Sequence, residues 1–428
     1  MTVENPASKL KSSRQSRQAL SKRDTCRLCG SRNLDSALPL LPTVIADAYV
    51  SKEQLNDSQE TYPLELFLCR GCGHVQMLHV VDPKVLFQNY NYFTSSSPWL
   101  VEHFRKLADE LLSLVIPPQG ALVVDIGSND GSLLAPFKNR GMRVLGIDPA
   151  QNVAQLANER GLETLAAFFA SGLAQDVRRQ YGPASIVTAN NVFAHVDHLE
   201  DIAEGIRFLL APEGIFVFEV SYLVDLIQKN LIDTIYHEHL CYHSVKPLEA
   251  FFRRHGLELI DVKRNPSKGG SIRGMVQLAG GPRPVDPSVA ELIQLEMNLG
   301  MDRPEVFKLF ASTLESFRVQ FRRSFQSLKK RGKTIAGYGA STPVTTLIYQ
   351  FEMGEALDFI VDDNPQKQNL FSPGFHIPIL PSPALYERKP GYVVVLAWNY
   401  FQPILEKHEA FVKQGGHFIV PLPVPMVF

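Results

Sequence analysis

Apolar runs of five to eight residues recur along the chain from residue 121 onwards, and glycine and acidic residues interrupt them. Residues 121–126 form the first run, residues 144–148 the second, and residues 184–191 and 214–220 supply two more. Runs without polar alternation predict strands that are buried on both faces, as in a parallel sheet covered by helices. Strands that alternate with helices predict an α/β fold with a Rossmann-like central domain.

The same alternation returns near the C-terminus. A helix rich in arginine and lysine is predicted at residues 317–331, and a glycine turn follows within residues 333–341. Further strands are predicted at residues 357–363 and 392–399. A second, smaller Rossmann-like domain is therefore expected, although a turn of this kind can also be purely structural. Its candidate substrate-binding residues are Gly337, Tyr338, Gly339 and Asp362.

The composition fits a protein of several globular domains. A chain of 428 residues is too long for one compact core, and its 45% hydrophobic and 20% charged residues are ordinary values. The formal net charge of -1 gives no electrostatic reason for a nucleic-acid partner. No apolar run reaches the roughly 20 residues that cross a membrane. We therefore expect a cytoplasmic monomer with no nucleic-acid or membrane partner.

Four of the five cysteines form two C-x-x-C pairs, Cys26 with Cys29 and Cys69 with Cys72. Each pair ends in a glycine-containing turn that exposes backbone N–H groups to thiolate sulfurs. Four thiolates at this spacing favour one closed, structural zinc site, with redox cysteines or an iron–sulfur cluster as alternatives. The 39 residues between the pairs must form a hairpin or a small insertion whose ends return together.

The domain boundaries follow from these motifs. The first 23 residues carry six lysines and arginines against Glu4 alone, which predicts a disordered tail, with a targeting presequence as the alternative. We expect a zinc-ribbon-like domain at residues 24–82. The central and C-terminal Rossmann-like domains are then expected at residues 83–310 and 311–428.

The sequence DIGSNDG at residues 125–131 lies between a predicted strand and a predicted helix. Such a turn brings a ligand close to backbone N–H groups, and Asp148, which lies 21 residues after Gly127, is placed to bind ribose hydroxyls. The G-x-G-x-x-G motif of NAD enzymes is absent. The loop resembles the D-x-G-x-G-x-G of S-adenosylmethionine (SAM) enzymes, with Asn129 at the middle glycine, and so favours a methyltransferase over a dehydrogenase. The candidate cofactor-binding residues are Asp125, Gly127, Asn129, Gly131, Asp148, Asn190 and Asn191.

Two further groups of polar residues are expected near this crevice. Asn190, Asn191 and His195 follow the strand at residues 184–191, whose end faces the ligand in an open α/β sheet, although His195 can equally cap a helix. Tyr90 and Tyr92 precede a serine run. These tyrosines either line the site or belong to the cap of the helix predicted from Pro98, where Ser97 is suited to the N-cap position.

Tyr236, His237, Glu238 and His239 place a phenol, a carboxylate and two imidazoles in four consecutive residues. Such a cluster can move a proton and hold the resulting negative charge, which methylation at carbon requires. A loop with surface histidines is the alternative. If the cluster is catalytic, His239 is suited to act as the base at neutral pH, Tyr236 can donate to an enolate oxygen, and Glu238 either tunes the imidazole or is itself the base.

These motifs together resemble the SAM-dependent sugar C-methyltransferases, which methylate C3 of nucleotide-linked 4-keto-6-deoxysugars. The likeness extends from Cys26 to the C-terminus and includes the sequences NVFAH at residues 191–195, KGGSIR at 268–273 and VDDNP at 361–365. It implies a structural zinc, SAM in the middle domain, and a dTDP- or GDP-linked sugar between the middle and C-terminal domains.

Site residues are carried over from this resemblance by motif. It implies that Tyr236, Glu238 and His239 are catalytic and that Tyr90 and His195 line the substrate. Further substrate contacts are implied in the KGGSIR turn. The sequence STPVT at residues 341–345 departs from the small residue and lysine that relatives tend to have, so the resemblance does not extend to nucleotide recognition at these positions. An O- or N-methyltransferase, or a zinc-ribbon binding protein with a degenerate nucleotide fold, are the alternative functions. The implied residues are Tyr236, Glu238, His239, Tyr90 and His195 for catalysis, and Tyr92, Gly270, Ser271 and Arg273 for the substrate.

Overall fold

The computed structural model describes residues 20–87 and 93–428. They form three sheets, called here the N-terminal, central and C-terminal sheets, and a separate two-stranded ribbon. One apolar core extends through all three sheets, from Leu66 through Phe218 to Ile360, so the three parts pack against one another. The α/β class predicted from the apolar runs is confirmed.

The N-terminal sheet contains the hairpin that the cysteine spacing requires. Its strands β2 and β3 are antiparallel, with Leu34 opposite Cys69, and bring the two cysteine pairs together. The elements of this part are β1 (Leu20–Lys22), β2 (Leu34–Thr43), β3 (Tyr62–Cys69), β4 (Val75–Met77), β5 (His79–Val81) and α1 (Pro83–Phe87).

The expected boundary of the basic tail at residue 23 is wrong. Leu20–Lys22 form β1, which pairs with β5 so that Leu20 lies opposite Val81, and Arg23 donates to the backbone carbonyl of Asp197. One strand pairing with another some 60 residues away leaves no local periodicity in a lysine-rich segment, so composition alone misplaces the boundary. Residues 1–19 lie outside the described part of the chain.

The central sheet has seven strands in the order β12-β13-β10-β9-β6-β7-β8, in which β13 runs antiparallel to both of its neighbours and the other pairs are parallel. The strands are β6 (Leu122–Ile126), β7 (Arg143–Asp148), β8 (Thr164–Ala166), β9 (Ala184–Asn190), β10 (Leu210–Ser221), β12 (Leu257–Asn265) and β13 (Ser271–Leu278). The chain leaves β6 towards β7 on one side and reaches β9 on the other. The crevice at the carboxyl ends of β6 and β9 is therefore a topological switch point, where α/β folds bind ligands.

Helices flank this sheet and connect its strands. The predicted helix start at Pro98 is confirmed, because Ser97 Oγ accepts a hydrogen bond from the Leu100 N–H at 3.4 Å. The helices are α2 (Pro98–Val115), α3 (Leu134–Asn139), α4 (Gln151–Glu159), α5 (Ser171–Tyr181), α6 (Leu199–Leu209), α7 (Leu223–Gln228), α8 (Val245–Arg254), α9 (Pro287–Leu299) and α10 (Pro304–Lys330).

The C-terminal sheet has six strands in the order β16-β15-β14-β17-β18-β19, and only β19 is antiparallel to its neighbour. Its elements are β14 (Ile335–Tyr338), α11 (Val344–Gln350), β15 (Phe359–Val361), β16 (Ile379–Leu380), α12 (Ala384–Arg388), β17 (Tyr392–Val395), α13 (Phe401–Lys407), α14 (Glu409–Lys413), β18 (His417–Val420) and β19 (Met426–Val427). This is the second Rossmann-like unit expected from the sequence. Across the described residues, no helix is both long and apolar enough to span a membrane.

Candidate active site

The four paired cysteines converge on one point between two backbone turns. Their sulfur atoms all lie within 4.8 Å of one another, with Cys26 and Cys72 at 3.7 Å and Cys29 and Cys69 at 3.5 Å. Four thiolates around a zinc ion at about 2.3 Å place neighbouring sulfurs about 3.8 Å apart. The four thiolates therefore fit a closed tetrahedral zinc site with no position open to a substrate.

Left-handed glycines shape the two metal-binding turns. Gly30 and Gly73 have φ values of 72° and 83°, and each donates its N–H to the carbonyl of the first cysteine of its pair. A residue with a Cβ atom adopts this conformation only at a cost. The turns therefore form in the same way in both C-x-x-C pairs, as the repeated glycine predicts.

The DIGSNDG loop leaves β6 at the switch point. Gly127 has a φ of 69° and donates to the Ile147 carbonyl at 2.7 Å, and an added Cβ atom would lie 2.2 Å from Val192. Gly131 is equally crowded, because its added Cβ would lie 2.3 Å from Leu162. Glycine is therefore required at both positions by the protein's own packing as well as by the left-handed backbone.

The two acidic residues of the predicted cofactor site have different surroundings. Asp148 accepts backbone hydrogen bonds from Asn129 and Ala150, each at 2.9 Å, and thereby fixes the loop beside its carboxylate. Asp125 instead bonds to the Thr188 hydroxyl at 2.6 Å, and burial raises its pKa to about 7. Asp148 is therefore the acid beside the loop, whereas Asp125 supports it from within the sheet.

The Asn129 side chain explains why a polar residue stands at the middle position of the loop. Asn129 has a φ of 50°, a conformation that asparagine tolerates, and its Oδ1 accepts from the Thr94 N–H at 2.8 Å. Asp130 accepts from the Ser95 N–H at 3.0 Å. The loop thus holds the serine run of residues 94–97 over the crevice. Tyr90 and Tyr92, predicted as site residues, lie outside the described residues.

Unpartnered polar atoms point to a ligand in this crevice. Within the described residues, both amide atoms of Asn190 and the hydroxyl of Ser128 are buried without a hydrogen-bond partner. Buried polar groups are normally paired, so such atoms indicate a missing ligand or water. Asn191, with a φ of 58°, donates its N–H to the Glu219 carbonyl and turns the chain away from β9. The crevice thus fits the polar groups of SAM.

Tyr236 and His239 form a buried pair in the loop before β11 (Cys241–Tyr242). The phenol oxygen of Tyr236 lies 2.8 Å from Nε2 of His239, and Nδ1 of His239 lies 2.7 Å from the Thr234 carbonyl. A carbonyl accepts only, so Nδ1 carries the proton and Nε2 accepts from the phenol. The surface-histidine alternative is therefore wrong.

Burial shifts the pKa values of the histidines and of Glu238 in opposite directions. Burial lowers the pKa of His239 to about 3, although the Thr234 carbonyl opposes the shift, and it raises the pKa of Glu238 to about 7. Burial also lowers the pKa of His195, whose ring centroid lies 4.8 Å from that of His239. The histidines are therefore neutral at pH 7, while Glu238 titrates close to that pH.

Contacts from the N-terminal sheet and from the C-terminal part hold the loop of residues 232–240, called here the catalytic segment after the role predicted for it from the sequence. At one end, β11 pairs with β4 of the N-terminal sheet. At the other, the Trp398 indole donates to Asp233 at 2.8 Å and the Thr346 hydroxyl donates to the Ile235 carbonyl at 2.7 Å, both from the C-terminal part. Asp233, Thr346 and Trp398 could not be predicted from the sequence, because contacts between distant segments leave no local motif.

Arg273, which the resemblance implies as a substrate contact, has charged partners within the protein. Its guanidinium donates to Glu219 and Glu110, both at 3.0 Å, and lies 3.2 Å from His103. Although burial opposes it, His103 and Arg273 lower the pKa of Glu219 on balance. The guanidinium is therefore committed to an internal charge network. Nearby Ser271 is also buried and donates to the Ser267 carbonyl.

Three of the four substrate-binding residues predicted in the C-terminal part line a separate cleft of about 290 Å³. The Tyr338 hydroxyl donates to Asp363 at 2.8 Å, and Asp362 accepts from the Ala340 N–H. An added Cβ at Gly339 would lie 2.5 Å from Ala397, and one at Gly337 would lie 2.7 Å from Leu396. The structure therefore brings Gly339, Tyr338 and Asp362 to one opening, with Gly337 packed beneath it. The other lining residues are Asp363, Ala397, Tyr400, Pro403, Ile404 and Lys407.

Family models match most of the chain. A zinc binding domain matches residues 26–87, a methyltransferase domain matches residues 100–262, and the family described as "C-methyltransferase C-terminal domain" matches residues 266–423. Together with the loop at the switch point, these matches define a SAM-dependent methyltransferase with a structural zinc site.

Relatives narrow the class further. C-methyltransferase NovU from Streptomyces niveus is 36% identical over 405 residues, which cover 94% of this chain and 96% of the relative. Nocamycin O-methyltransferase from Saccharothrix syringae is 35% identical over 121 residues, 27% of this chain and 42% of that protein. The structure of a SAM-dependent methyltransferase from Clostridium acetobutylicum matches with 14% sequence identity and a TM-score of 0.36. The match covers 42% of this chain and 92% of the Clostridium chain. The chain belongs to the C-methyltransferase family, whose members transfer a methyl group to carbon.

Proposed function

We propose that this enzyme methylates C3 of a nucleotide-linked 4-keto-6-deoxysugar, and that it does so through an enolate. The observation that carries the proposal is the buried pair in which the Tyr236 phenol lies 2.8 Å from Nε2 of His239, in a segment where Glu238, the residue before His239, is also buried. Deprotonation of a carbon next to a ketone needs a proton acceptor and a donor to the enolate oxygen, and this segment supplies both kinds of group. The resemblance to sugar C-methyltransferases supplies the substrate class.

Glu238 is the base in this proposal. Its carboxyl group has no hydrogen-bond partner among the described residues, and its pKa of about 7 suits proton transfer at neutral pH. His239 is a weaker candidate than its sequence context suggests, because its pKa falls to about 3 and its free nitrogen already accepts the Tyr236 proton. His239 therefore positions the phenol, while Glu238 takes the proton from C3.

Tyr236 holds the ketone oxygen. When the substrate is bound, its hydroxyl turns from His239 towards that oxygen and donates a hydrogen bond that strengthens as the enolate forms. The Thr234 carbonyl keeps Nδ1 of His239 protonated, so the imidazole cannot take over as donor at Nε2. His195 packs edge-on against the same imidazole and limits its rotation.

The cofactor lies in the crevice at the switch point. SAM, when bound, supplies an electrophilic methyl group. The residues that hold it are Asp148 for the ribose, the backbone of the 127–131 turn, and the unpartnered Asn190 and Ser128. The C-terminal cleft holds the nucleotide, where Tyr400 offers an exposed aromatic face; the nearby Lys407 pairs with Asp363 at 2.6 Å. The dTDP- and GDP-linked sugars are its candidate substrates.

A labelled methyl donor tests the proposal directly. The enzyme is incubated with SAM that carries a ¹³C methyl group and with a panel of dTDP- and GDP-linked 4-keto-6-deoxysugars, and the product is analysed by NMR. The expected result is a new carbon–carbon bond at C3 of one member of the panel. A label on oxygen or nitrogen, or at another carbon, contradicts the proposal.

A further inference from the structure

Lys268 lies in a backbone conformation that is unusual for lysine. Its φ and ψ are 51° and 35°, in the left-handed region that glycine favours, although glycine occupies the next two positions. Non-glycine residues keep such a conformation where the surroundings impose it, and they are concentrated at functional sites. The turn of residues 267–270, called here the lysine turn, is therefore a candidate functional element.

Contacts on every side fix the lysine turn. The Ser267 carbonyl accepts from the Gly270 N–H at 2.9 Å and from the Ser271 hydroxyl at 3.0 Å. Lys229 donates to the Gly269 carbonyl at 2.8 Å. An added Cβ atom at Gly270 would lie 2.4 Å from the buried Asp225 side chain. The Lys268 backbone is thus held rigidly, and its side chain is presented from a fixed point.

The lysine turn lies at the end of the central sheet where β10 terminates. It leads directly into β13, whose first residue Ser271 lies opposite Ser221, the last residue of β10. On its other side, an added Cβ at Gly269 would lie 3.6 Å from the Trp398 ring of the C-terminal part. Lys268 therefore stands where the central crevice meets the C-terminal part.

The ammonium group of Lys268 has no ion-pair partner among the described residues, whereas its neighbours are paired. Lys229 and Arg264 both bind Asp225 at 2.8 Å, and Arg273 binds Glu219. The Lys268 side chain keeps access to solvent, although desolvation by the surrounding protein lowers its pKa. Its charge in turn helps to lower the pKa of His239 and opposes the raised pKa of Glu238. An added Cβ at the adjacent Gly269 would lie 2.9 Å from Leu231, which directly precedes the catalytic segment, so this unpaired cation lies beside that segment.

We propose that Lys268 is a further catalytic residue, which binds the substrate's ketone oxygen and stabilises the enolate; this inference rests on the proposed function. Glu238 takes the proton from C3, the C3–H electron pair forms the C3–C4 double bond, and the carbonyl π pair moves onto the oxygen. Nζ of Lys268 donates to that oxygen as a second donor beside the Tyr236 phenol, which has only one proton to give. As the methyl group leaves the sulfonium and bonds to C3, the ketone forms again and the sulfur keeps its electron pair.

Hydrogen exchange in deuterated water isolates this step from methyl transfer. With S-adenosylhomocysteine bound, the wild-type enzyme is expected to exchange the C3 proton of the ketosugar. Lys268→Met should slow the exchange on the order of 100-fold, the cost of losing one oxyanion donor. Lys268→Gly, which suits the left-handed backbone and preserves the turn, should slow it equally, and Lys268→Arg should restore part of the rate. Lys308→Met, at an exposed site on α10, is the matched control and should exchange like the wild type.

The alternative is that Lys268 binds the diphosphate of the substrate. In that case Lys268→Met would weaken binding of the free nucleoside diphosphate about tenfold, while saturated exchange stays fast, and the proposal is overturned. Unchanged exchange in Lys268→Met and Lys268→Gly overturns it as well. If the wild type itself exchanges no proton from any ketosugar, the proposed function fails, and this inference fails with it.

Discussion

At the scale of single residues, the geometry of the site depends on two protons, the one on Nδ1 of His239 and the one on the Tyr236 hydroxyl. The Thr234 carbonyl fixes the His239 tautomer, and that tautomer fixes the direction of the Tyr236 hydroxyl. The sequence indicated all three side chains of the set, because a phenol, a carboxylate and an imidazole within four residues form a rare combination. It did not reveal that a main-chain carbonyl sets their roles, since a carbonyl is common to every residue.

The pH dependence of catalysis separates the two candidate bases. Because burial raises the pKa of Glu238 to about 7, its carboxylate form, which can accept a proton, is lost as the pH falls below 7. The exchange rate should therefore rise about tenfold per pH unit up to about pH 7 and then level off. This rising part of the pH profile is called here the limb. His239, with a pKa of about 3, causes no such rise in the exchange rate near pH 7.

Variants of the two residues complete this test. Glu238→Gln should lower the exchange rate by about 100- to 10,000-fold and remove the limb near pH 7. His239→Asn should slow exchange but keep the limb. A limb that disappears in His239→Asn and persists in Glu238→Gln would assign the base to the imidazole instead.

Tyr236→Phe tests the oxyanion donor. The substitution removes the hydroxyl but keeps the ring, which stacks on His239 with centroids 4.1 Å apart. Exchange and methylation should both slow by about 10- to 1000-fold, with little change in the affinity for SAM. Tyr392→Phe, which removes a hydroxyl from the first residue of β17, is the matched control and should keep both rates. Full activity in Tyr236→Phe would remove the phenol from the account.

At the scale of elements, the catalytic segment depends on strands far from it in sequence. β11, which follows it directly, pairs with β4, and β4 pairs with β3, which ends at the zinc ligand Cys69. The zinc site is therefore two strands away from the catalytic loop. The sequence predicted the metal site from its spacing, but a two-residue strand such as β11 is too short to leave a recognisable pattern.

Loss of zinc should therefore impair catalysis as well as stability. Cys72→Ser is expected to bind less than one zinc per chain by elemental analysis and to unfold at a lower temperature, because metal binding stabilises the folded state. Cys241→Ala, which changes a buried cysteine outside the metal site, should keep one zinc per chain. A zinc-free Cys72→Ser variant with full stability and activity would contradict the structural role of the metal.

The cofactor loop can be tested with a matched pair of glycines. Gly127 and Gly120 have similar φ values of 69° and 75°, but an added Cβ at Gly127 meets Val192, whereas one at Gly120 meets nothing within 4 Å. Both alanine variants carry the same backbone strain, and only Gly127→Ala distorts the loop. Calorimetry should show SAM binding weakened at least tenfold in Gly127→Ala and little changed in Gly120→Ala. Equal affinities would argue against this loop as the cofactor site.

At the scale of the whole molecule, the site lies where three parts of the chain meet. The apolar runs and glycine turns predicted the two Rossmann-like units, because each depends on local periodicity. They did not predict that Asp233 and Trp398, 165 residues apart, join these units beside the site. Nor did they predict the internal partners of Arg273, since charge pairing between distant strands is set by sheet order.

The C-terminal cleft should contribute to substrate binding and not to cofactor binding. Tyr400 is 56% exposed at its opening, and an aromatic face of this kind can stack on a base with a gain of about 1–3 kcal/mol. Tyr400→Ala should therefore weaken binding of the nucleoside diphosphate by about 5- to 150-fold and leave SAM binding unchanged. Phe208→Ala, at another exposed aromatic residue, is the control. Unchanged nucleotide affinity in Tyr400→Ala would place the nucleotide elsewhere.

The buried cluster of Tyr236, Glu238 and His239 is proposed to remove the C3 proton of the sugar before the methyl group is transferred. The most direct measurement is NMR of a nucleotide-linked 4-keto-6-deoxysugar in deuterated water, with enzyme present and S-adenosylhomocysteine in the cofactor site. We expect the C3 proton signal to disappear with the wild-type enzyme and to remain with the double variant Glu238→Gln, His239→Asn. A C3 signal that persists with a wild-type enzyme able to methylate the same sugar would contradict the enolate and the roles assigned to Tyr236 and Glu238.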